Sequence, residues 1–133
     1  MIINDSNYVE KAEKVIRQLN EKAGIGRNGK QNPIVSTSQL RNILAMSADI
    51  YNMAILNSGD QLSEEIKGKL EYLKIRIVYD AGREAKVKDL VKIANILEIL
   101  SEINGSKKNF ILFNHYLEAI VAYRKFLGTK ESN

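Results

Sequence analysis

Residues 61–84, QLSEEIKGKLEYLKIRIVYDAGRE, carry the pattern that most constrains the fold of this chain. Large aliphatic residues recur there at spacings of four, three and four, namely Ile66, Leu70, Leu73 and Ile77. That is the period of one α-helix face, so the pattern predicts one long amphipathic helix. Ser63 is suited to cap its start, and Gly82 is suited to end it.

The same stretch carries a second stripe, away from the predicted core side. It consists of Tyr72, Arg76, Tyr79 and Arg83, again at spacings of four, three and four. Aromatic rings interleaved with guanidinium groups suit a nucleic-acid strand, because bases stack on rings and phosphates pair with arginine. A solvated face whose tyrosines are half-buried against a neighbouring helix has the same pattern, so both interpretations stay open.

Four further segments show the helical period, and together they predict an all-α fold. The whole chain, residues 1–133, is then one domain, a compact bundle of about five helices. Ser6 is a candidate cap for the first helix, and Ser36 with Gln39 fits a capping box for the second. The four segments are residues 6–23, with Val9, Ala12, Ile16 and Leu19 on the apolar face, and residues 36–57, 87–103 and 107–127.

The segment 87–103 has an unusually wide apolar stripe. Ile93 and Ile96 widen a face that already holds Val87, Leu90, Val91, Ala94, Leu97, Leu100 and Ile103. Such a stripe indicates either a central helix of the bundle or a helix covered by another chain.

Residues 24–35, GIGRNGKQNPIV, are predicted to form a flexible basic loop, with Arg27 and Lys30 as its cations. Its glycines satisfy GxGxxG, but that motif binds dinucleotides only between a strand and a helix, and no strand pattern precedes it here. Residues 128–133 are predicted to be a disordered polar tail.

Composition fits a soluble globular protein with one sizeable core. The chain has 133 residues, no cysteine, a net charge of +4 and only three apolar residues at its start, so we expect a cytoplasmic protein without signal, membrane span or disulfide. Lys and Arg exceed Asp and Glu only in residues 67–133, 13 against 8. This bias is compatible with a polyanionic partner.

No arrangement of residues predicts catalysis. His115 is the only histidine and has no nucleophile in register, and no HExxH, Walker loop or Asp-x-Asp cluster occurs. We therefore expect a protein that is not an enzyme, with no catalytic residue, no metal and no cofactor.

Three segments together resemble one known family. They are STSQLRNI (36–43), LEYLKIRIVYDAGRE (70–84) and YLEAIVAYRKF (116–126). In this order, behind a basic loop and in a chain of this length, they resemble the small helical subunit of the type III-A CRISPR effector, the Csm ribonucleoprotein. The resemblance covers roughly residues 30–127.

The resemblance implies a non-catalytic subunit in antiviral defence. Several copies would stack into a short filament beside the backbone subunits that carry the CRISPR RNA, in a complex that also holds a large subunit. The small subunits would contact chiefly the target RNA paired to the CRISPR RNA. By carry-over onto the matching motifs, the candidate RNA-binding residues are Arg41, Lys74, Arg76, Arg83, Arg124 and Lys125.

An alternative function stays open beside this one. A helical adaptor could homodimerise through the wide apolar stripe of residues 87–103, with no dependence on RNA.

Overall fold

Six α-helices account for most of residues 1–128, the part of the chain that the computed structural model describes. They are α1 (Tyr8–Ala23), α2 (Thr37–Ala54), α3 (Glu64–Arg83), α4 (Ala85–Ile93), α5 (Ile96–Ile103) and α6 (Lys107–Leu127). Between residues 1 and 128, β-structure is limited to the isolated bridges Ile25–Gln31 and Gln61–Ser106. The predicted all-α bundle is therefore confirmed, and the predicted tail lies outside the described residues except for Gly128.

Serine side chains cap the N-termini of three helices, where the first backbone N–H groups have no partner within the helix. The Ser36 hydroxyl accepts from Gln39 N–H while the Gln39 side chain accepts from Ser36 N–H, so the predicted capping box is confirmed. Ser63 caps α3 by accepting from Ile66 N–H. Ser106 does the same for α6 through Asn109 N–H. Each cap satisfies a donor that has no partner within the helix.

The predicted start of α1 and the predicted stop of α3 were wrong. Helix α1 begins at Tyr8, because the Ser6 hydroxyl donates to Asn4 Oδ1 instead of capping a helix. Helix α3 runs through Gly82 to Arg83, and the Glu84 N–H still bonds Asp80 O. A glycine in the last turn therefore did not stop the helix, since its φ is not positive there. Val9 is 44% exposed, and Val15 is buried in its place.

The segment 87–103 is two helices rather than one. Asn95 has left-handed torsion angles (φ 56°, ψ 39°), which asparagine tolerates better than most residues and which end the α-helical ladder. Four apolar residues of the segment 87–103 are each at most 1% exposed, namely Leu90, Ala94, Ile96 and Ile99. Ile93 and Leu97 are partly buried and pack against the same core, so the wide stripe is covered mainly by this chain itself.

Helix α6 lies in the middle of the bundle, against α1, α2 and α5, and α3 packs on α2 and α4. The Ser47 hydroxyl of α2 donates to Asn114 Oδ1 of α6 over 2.7 Å inside the core. Residues 55–63 connect α2 to α3, and the two helices contact each other. This packing buries one side of α3 and leaves its other side to solvent.

Residues 24–35 fold back on the end of α1. Gly26 N–H bonds Lys30 O, Asn32 N–H bonds Gly24 O, and the Gln31 amide donates to Asn20 O at 2.8 Å. The flexibility predicted for this loop stays a prediction.

No helix within residues 1–128 is long and apolar enough to cross a membrane.

Candidate nucleic-acid interface

The tyrosine and arginine stripe lies on the solvent side of α3. Tyr72 is 59% exposed and Tyr79 is 60% exposed, and Arg76 and Arg83 are exposed as well. Leu73 and Ile77, on the opposite side of the same helix, are at most 1% exposed. The face is therefore solvated, and its two tyrosines are more exposed than the half-buried packing of the alternative interpretation predicts.

The stripe combines a ring and a cation in direct contact. The Arg83 guanidinium carbon lies 5.5 Å from the centre of the Tyr79 ring, at the distance of a cation–π interaction. Arg83 Nη2 is also 3.9 Å from Asp80 Oδ1, the outer limit of an ion pair, with the arginine side chain 62% exposed. The guanidinium thus keeps donors for a phosphate while the ring orients it.

A groove between α2 and α3 runs beside the stripe. Its volume is about 550 Å³, and Tyr72 forms part of its wall. The other lining residues are Met46, Asp49, Ile50, Met53, Glu65, Gly68, Lys69 and Leu73. Methionine side chains adapt to irregular surfaces, so this groove gives the stripe an apolar border.

Sequence reasoning missed two apolar members of this surface. Ile75 is 61% exposed and Val78 is 48% exposed, both on the outward side of α3. The signal was present in the spacing, because Ile75 lies three residues after Tyr72 and four before Tyr79. The surface is therefore mixed in character, with aliphatic groups next to rings and guanidinium groups.

Lys74 lies on a different side of α3 from Arg76. Two residues along an α-helix are about 200° apart, so the two cations point away from each other. Lys74 lines a crevice between α3 and α5, together with Glu71 and Ser101. Lys74, a candidate RNA-binding residue that was not part of the stripe, therefore lies on another side of the same helix.

Arg41 and Lys125 are exposed and belong to other helices, α2 and α6. Arg41 stands in the first turn of α2, five residues before Met46 of the groove, so it points about 140° away from the groove wall. Lys125 stands in the last turn of α6. Arg27 and Lys30 of the loop are also exposed. The stripe brings together only Arg76 and Arg83 of the six candidates.

Arg124 is the exception among the candidates because it is buried. It is 2% exposed, and its Nε donates to the carbonyl oxygen of Val35 at 2.7 Å. That bond ties the end of α6 to the segment just before α2. Such a placement argues against a contact between this guanidinium and a phosphate.

Other polar groups of the core also serve packing. The Tyr116 hydroxyl donates to Ala94 O at 3.0 Å, and burial raises the pKa of this phenol above its ordinary value. The His115 ring lies 6.3 Å from the Tyr8 ring and 6.2 Å from the Tyr51 ring. Between residues 1 and 128, no group of three or more histidine, aspartate or glutamate side chains could hold a metal ion.

Comparison with known proteins finds one family. A family model described as Csm2 Type III-A matches residues 10–130. The CRISPR system Cms protein Csm2 of Streptococcus thermophilus is 38% identical over 130 residues, covering 98% of each chain.

Two further relatives carry the same protein name. That of Mycobacterium tuberculosis, strain ATCC 25618 / H37Rv, is 37% identical over 131 residues, covering 98% of this chain and 99% of its own. That of Enterococcus italicus is 33% identical over 94 residues, 69% of this chain and 67% of its own.

Proposed function

Since the chain belongs to the Csm2 family of type III-A CRISPR systems, and is therefore a small subunit of a Csm complex, we propose that it binds target RNA without catalysing its cleavage. Arg76 and Arg83 contact phosphates, and the rings of Tyr72 and Tyr79 lie against the strand. The observation that carries this assignment is the solvent-exposed tyrosine and arginine stripe of α3.

The chemistry of the stripe fits a target that is already paired to CRISPR RNA. Base pairing with the guide reads the sequence, so the protein needs only to recognise the backbone and shape of the strand. Exposed guanidinium groups meet phosphate oxygens through two parallel hydrogen bonds, and these contacts carry no sequence information. Lys74, Arg41 and Lys125 face other directions and are secondary candidates, for RNA or for neighbouring subunits.

The proposal includes the partners and the setting that the sequence suggested. Several copies stack beside the backbone subunits, in contact with the large subunit, the CRISPR RNA and the target, in cytoplasmic antiviral defence. A few phosphate contacts per copy bind weakly and are sensitive to salt. Stacking repeats the contact along one RNA, and repetition converts weak contacts into a useful affinity.

The adaptor alternative, an RNA-independent homodimer, has lost its original surface. It relied on the wide apolar stripe of residues 87–103, where only Ile93 and Leu97 are partly exposed and the other side chains are buried within the chain. Exposed Ile75 and Val78 on α3 are the apolar groups that still favour contact with another protein. An adaptor would bind its partner with no salt-sensitive affinity for RNA.

The test removes both stripe arginines, Arg76→Ala with Arg83→Ala, from the subunit in an assembled Csm complex. Because two phosphate contacts are lost per copy, we expect weaker binding of complementary target RNA and a shallower dependence of log K on log salt. The control is Lys14→Ala with Arg17→Ala on α1, which removes equal charge from side chains that are 64% and 60% exposed. Equal target affinity and salt dependence in the two double variants would contradict the proposal.

A further inference from the structure

Residues 25–31, IGRNGKQ, form a tight hairpin at the end of α1, outside the stripe on α3. The Gly26 N–H donates to Lys30 O at 2.8 Å, and the Gly29 N–H donates to Gly26 O at 3.0 Å. Gly29 has a φ of +75°, in the left-handed region. A turn followed by a left-handed glycine is a common short connection of a hairpin, so this segment has a defined backbone. We call residues 25–31 the basic hairpin.

Side-chain amides hold the basic hairpin to the carbonyl end of α1. The Gln31 amide donates to Asn20 O at 2.8 Å, and the Asn32 amide donates to Ala23 O at 2.9 Å. The last four carbonyl groups of a helix lack N–H partners within it, so both amides bind acceptors that α1 leaves at its end. The base of the hairpin is therefore attached to the bundle, and its tip is left to solvent.

The tip of the basic hairpin presents hydrogen-bond donors and no acid. Arg27, Asn28 and Lys30 are exposed, and no Asp or Glu occurs in residues 25–31. Within residues 1–128, neither cation takes part in an ion pair. The Asn28 Oδ1 accepts from Lys30 N–H at 3.0 Å, which leaves the amide group of this side chain as a donor. The tip thus offers two cations and one neutral donor within a single turn.

This set of donors suits the sugar–phosphate backbone of paired RNA. An A-form duplex has a wide and shallow minor groove that displays ribose 2′-hydroxyl groups, with phosphates on both sides. Arg27 and Lys30 match the phosphates, and the Asn28 amide matches the oxygen of a 2′-hydroxyl group. An acidic protein surface would also attract the two cations, so it is the competing partner.

The base of the basic hairpin lies beside the junction of α3 and α4. Pro33, two residues after the hairpin, lines a small cleft together with Lys22 of α1 and Lys86 of α4. The Lys22 ammonium pairs with Asp89 of α4 at 2.7 Å, which connects α1 to α4 at this place. Lys86 follows Arg83, the last cation of the stripe, by only three residues. The basic hairpin and the Arg83 end of the stripe therefore lie at the same end of the bundle.

We propose that the basic hairpin is a second RNA-binding element, which lies in the minor groove of a paired RNA and holds its backbone through Arg27, Asn28 and Lys30. That this paired RNA is the duplex of CRISPR RNA and target rests on the proposed function, whereas the affinity for paired RNA does not. The hairpin reads no sequence, because all three groups contact sugar and phosphate. It is formed before RNA binds, in contrast to the flexible loop that the sequence suggested.

The first test removes the two cations, Arg27→Ala with Lys30→Ala, from the full chain. The affinity for a labelled RNA duplex is measured at several salt concentrations. We expect several-fold weaker binding, and a slope of log K against log salt that is smaller by about two. The control Lys14→Ala with Arg17→Ala on α1 removes the same charge and should bind like the unchanged chain. With a DNA duplex the double variant should lose less affinity, because the narrower minor groove does not fit the hairpin.

A second variant changes the shape of the basic hairpin and leaves its charge alone. Gly29→Ala places a Cβ on a residue with φ +75°, which strains the turn although no atom lies within 4 Å of that Cβ. Gly59→Ala is the matched control, since Gly59 has the same φ and the same free space in the turn between α2 and α3. We expect weaker binding of the RNA duplex in Gly29→Ala alone. Amide hydrogen exchange should be faster at Gly26 in this variant, and the thermal midpoint shows whether both variants are folded.

Three outcomes would overturn the inference. The first is a double variant, Arg27→Ala with Lys30→Ala, that binds the RNA duplex like its control. The second is unchanged RNA binding in Gly29→Ala despite faster exchange at Gly26, because a flexible basic loop would then suffice. The third is a double variant that binds RNA normally but assembles poorly with the other Csm subunits, which would identify an acidic protein surface as the partner.

The same assay distinguishes this inference from the proposed function. Arg76→Ala with Arg83→Ala tests the stripe, and the hairpin variant tests residues that the stripe does not contain. If only the hairpin variant loses affinity for paired RNA, the basic hairpin stands and the role of the stripe fails. If only the stripe variant loses affinity, the role of the stripe stands and the basic hairpin fails.

Discussion

Two neighbouring residues of α6 show how one side chain differs from the next in role. Arg124 is 2% exposed and donates to Val35 O, whereas Lys125 is exposed to solvent. The motif YRKF marks both as basic, and nothing in their residue types separates them. Their positions along the helix do, since Arg124 lies four residues after the fully buried Ile120. Spacing therefore predicts burial at this position better than residue type does.

The first residue-scale prediction concerns Arg124→Ala. The variant leaves the buried Val35 carbonyl without its charged donor, so we expect a loss of about 2 kcal/mol of unfolding free energy. Urea denaturation of the purified chain measures it. The control Lys125→Ala should unfold at the same urea concentration as the unchanged chain. If Arg124→Ala is as stable as the unchanged chain, the buried hydrogen bond does not stabilise the fold. Arg124 is then again a candidate RNA-binding residue.

Helices were more predictable than the residues that join them. The faces of α2, α3 and α6 follow from spacing, because burial of one helix side imposes that spacing on the sequence. The caps Ser36 and Ser63 follow from their residue type just before an apolar run. The break at Asn95 does not follow from spacing, since the apolar positions Leu90, Ala94 and Leu97 continue across it at spacings of four and three. Only the left-handed torsion angles of Asn95 reveal two helices.

The candidate site was predictable to a smaller extent than the fold. The side of α3 that carries Tyr72, Arg76, Tyr79 and Arg83 was readable from its sequence, because that side is defined within one helix. How the other cations lie relative to it depends on helix packing, which local spacing does not encode. Arg41 and Lys125 therefore could not be placed from the sequence.

The element-scale prediction concerns the junction of α4 and α5, which Tyr116 stabilises from α6. Its hydroxyl donates to Ala94 O, one residue before the left-handed Asn95. Burial raises the pKa of Tyr116, while a tyrosine in the unfolded chain ionises near about pH 10. The unfolded state thus loses its proton first. The stability that the protonated Tyr116 phenol contributes is complete below about pH 10. It is lost as the pH rises towards the folded-state pKa.

We therefore expect Tyr116→Phe to cost about 1 kcal/mol at neutral pH, through the lost hydrogen bond. The variant should also lose less of its remaining stability between about pH 8 and about pH 11, because one tyrosine no longer links unfolding to deprotonation. Urea denaturation at several pH values measures both effects. The control Tyr72→Phe changes a ring that is 59% exposed and should follow the unchanged chain at every pH. Parallel curves for Tyr116→Phe and the unchanged chain would contradict the linkage.

At the scale of the whole molecule, the net charge of +4 is spread over several faces. Arg76 and Arg83 share one stripe, while Lys74, Arg41 and Lys125 point elsewhere. A single copy therefore presents few cations to one strand, and its RNA affinity at physiological salt should be low. The proposed stack of copies compensates by repeating the same stripe along one target.

Repetition makes a measurable difference between the single subunit and the assembled complex. If n copies engage one target, the loss caused by Arg76→Ala with Arg83→Ala should multiply over the copies, because each copy loses the same contacts to the same RNA. We expect the fold-loss of target affinity in the complex to approach the fold-loss of RNA affinity in the single subunit, raised to the power n. Equal fold-losses in the isolated subunit and in the complex would mean that only one copy contacts the target, or that other subunits supply the affinity. Either result would contradict a continuous RNA-binding surface along the stack.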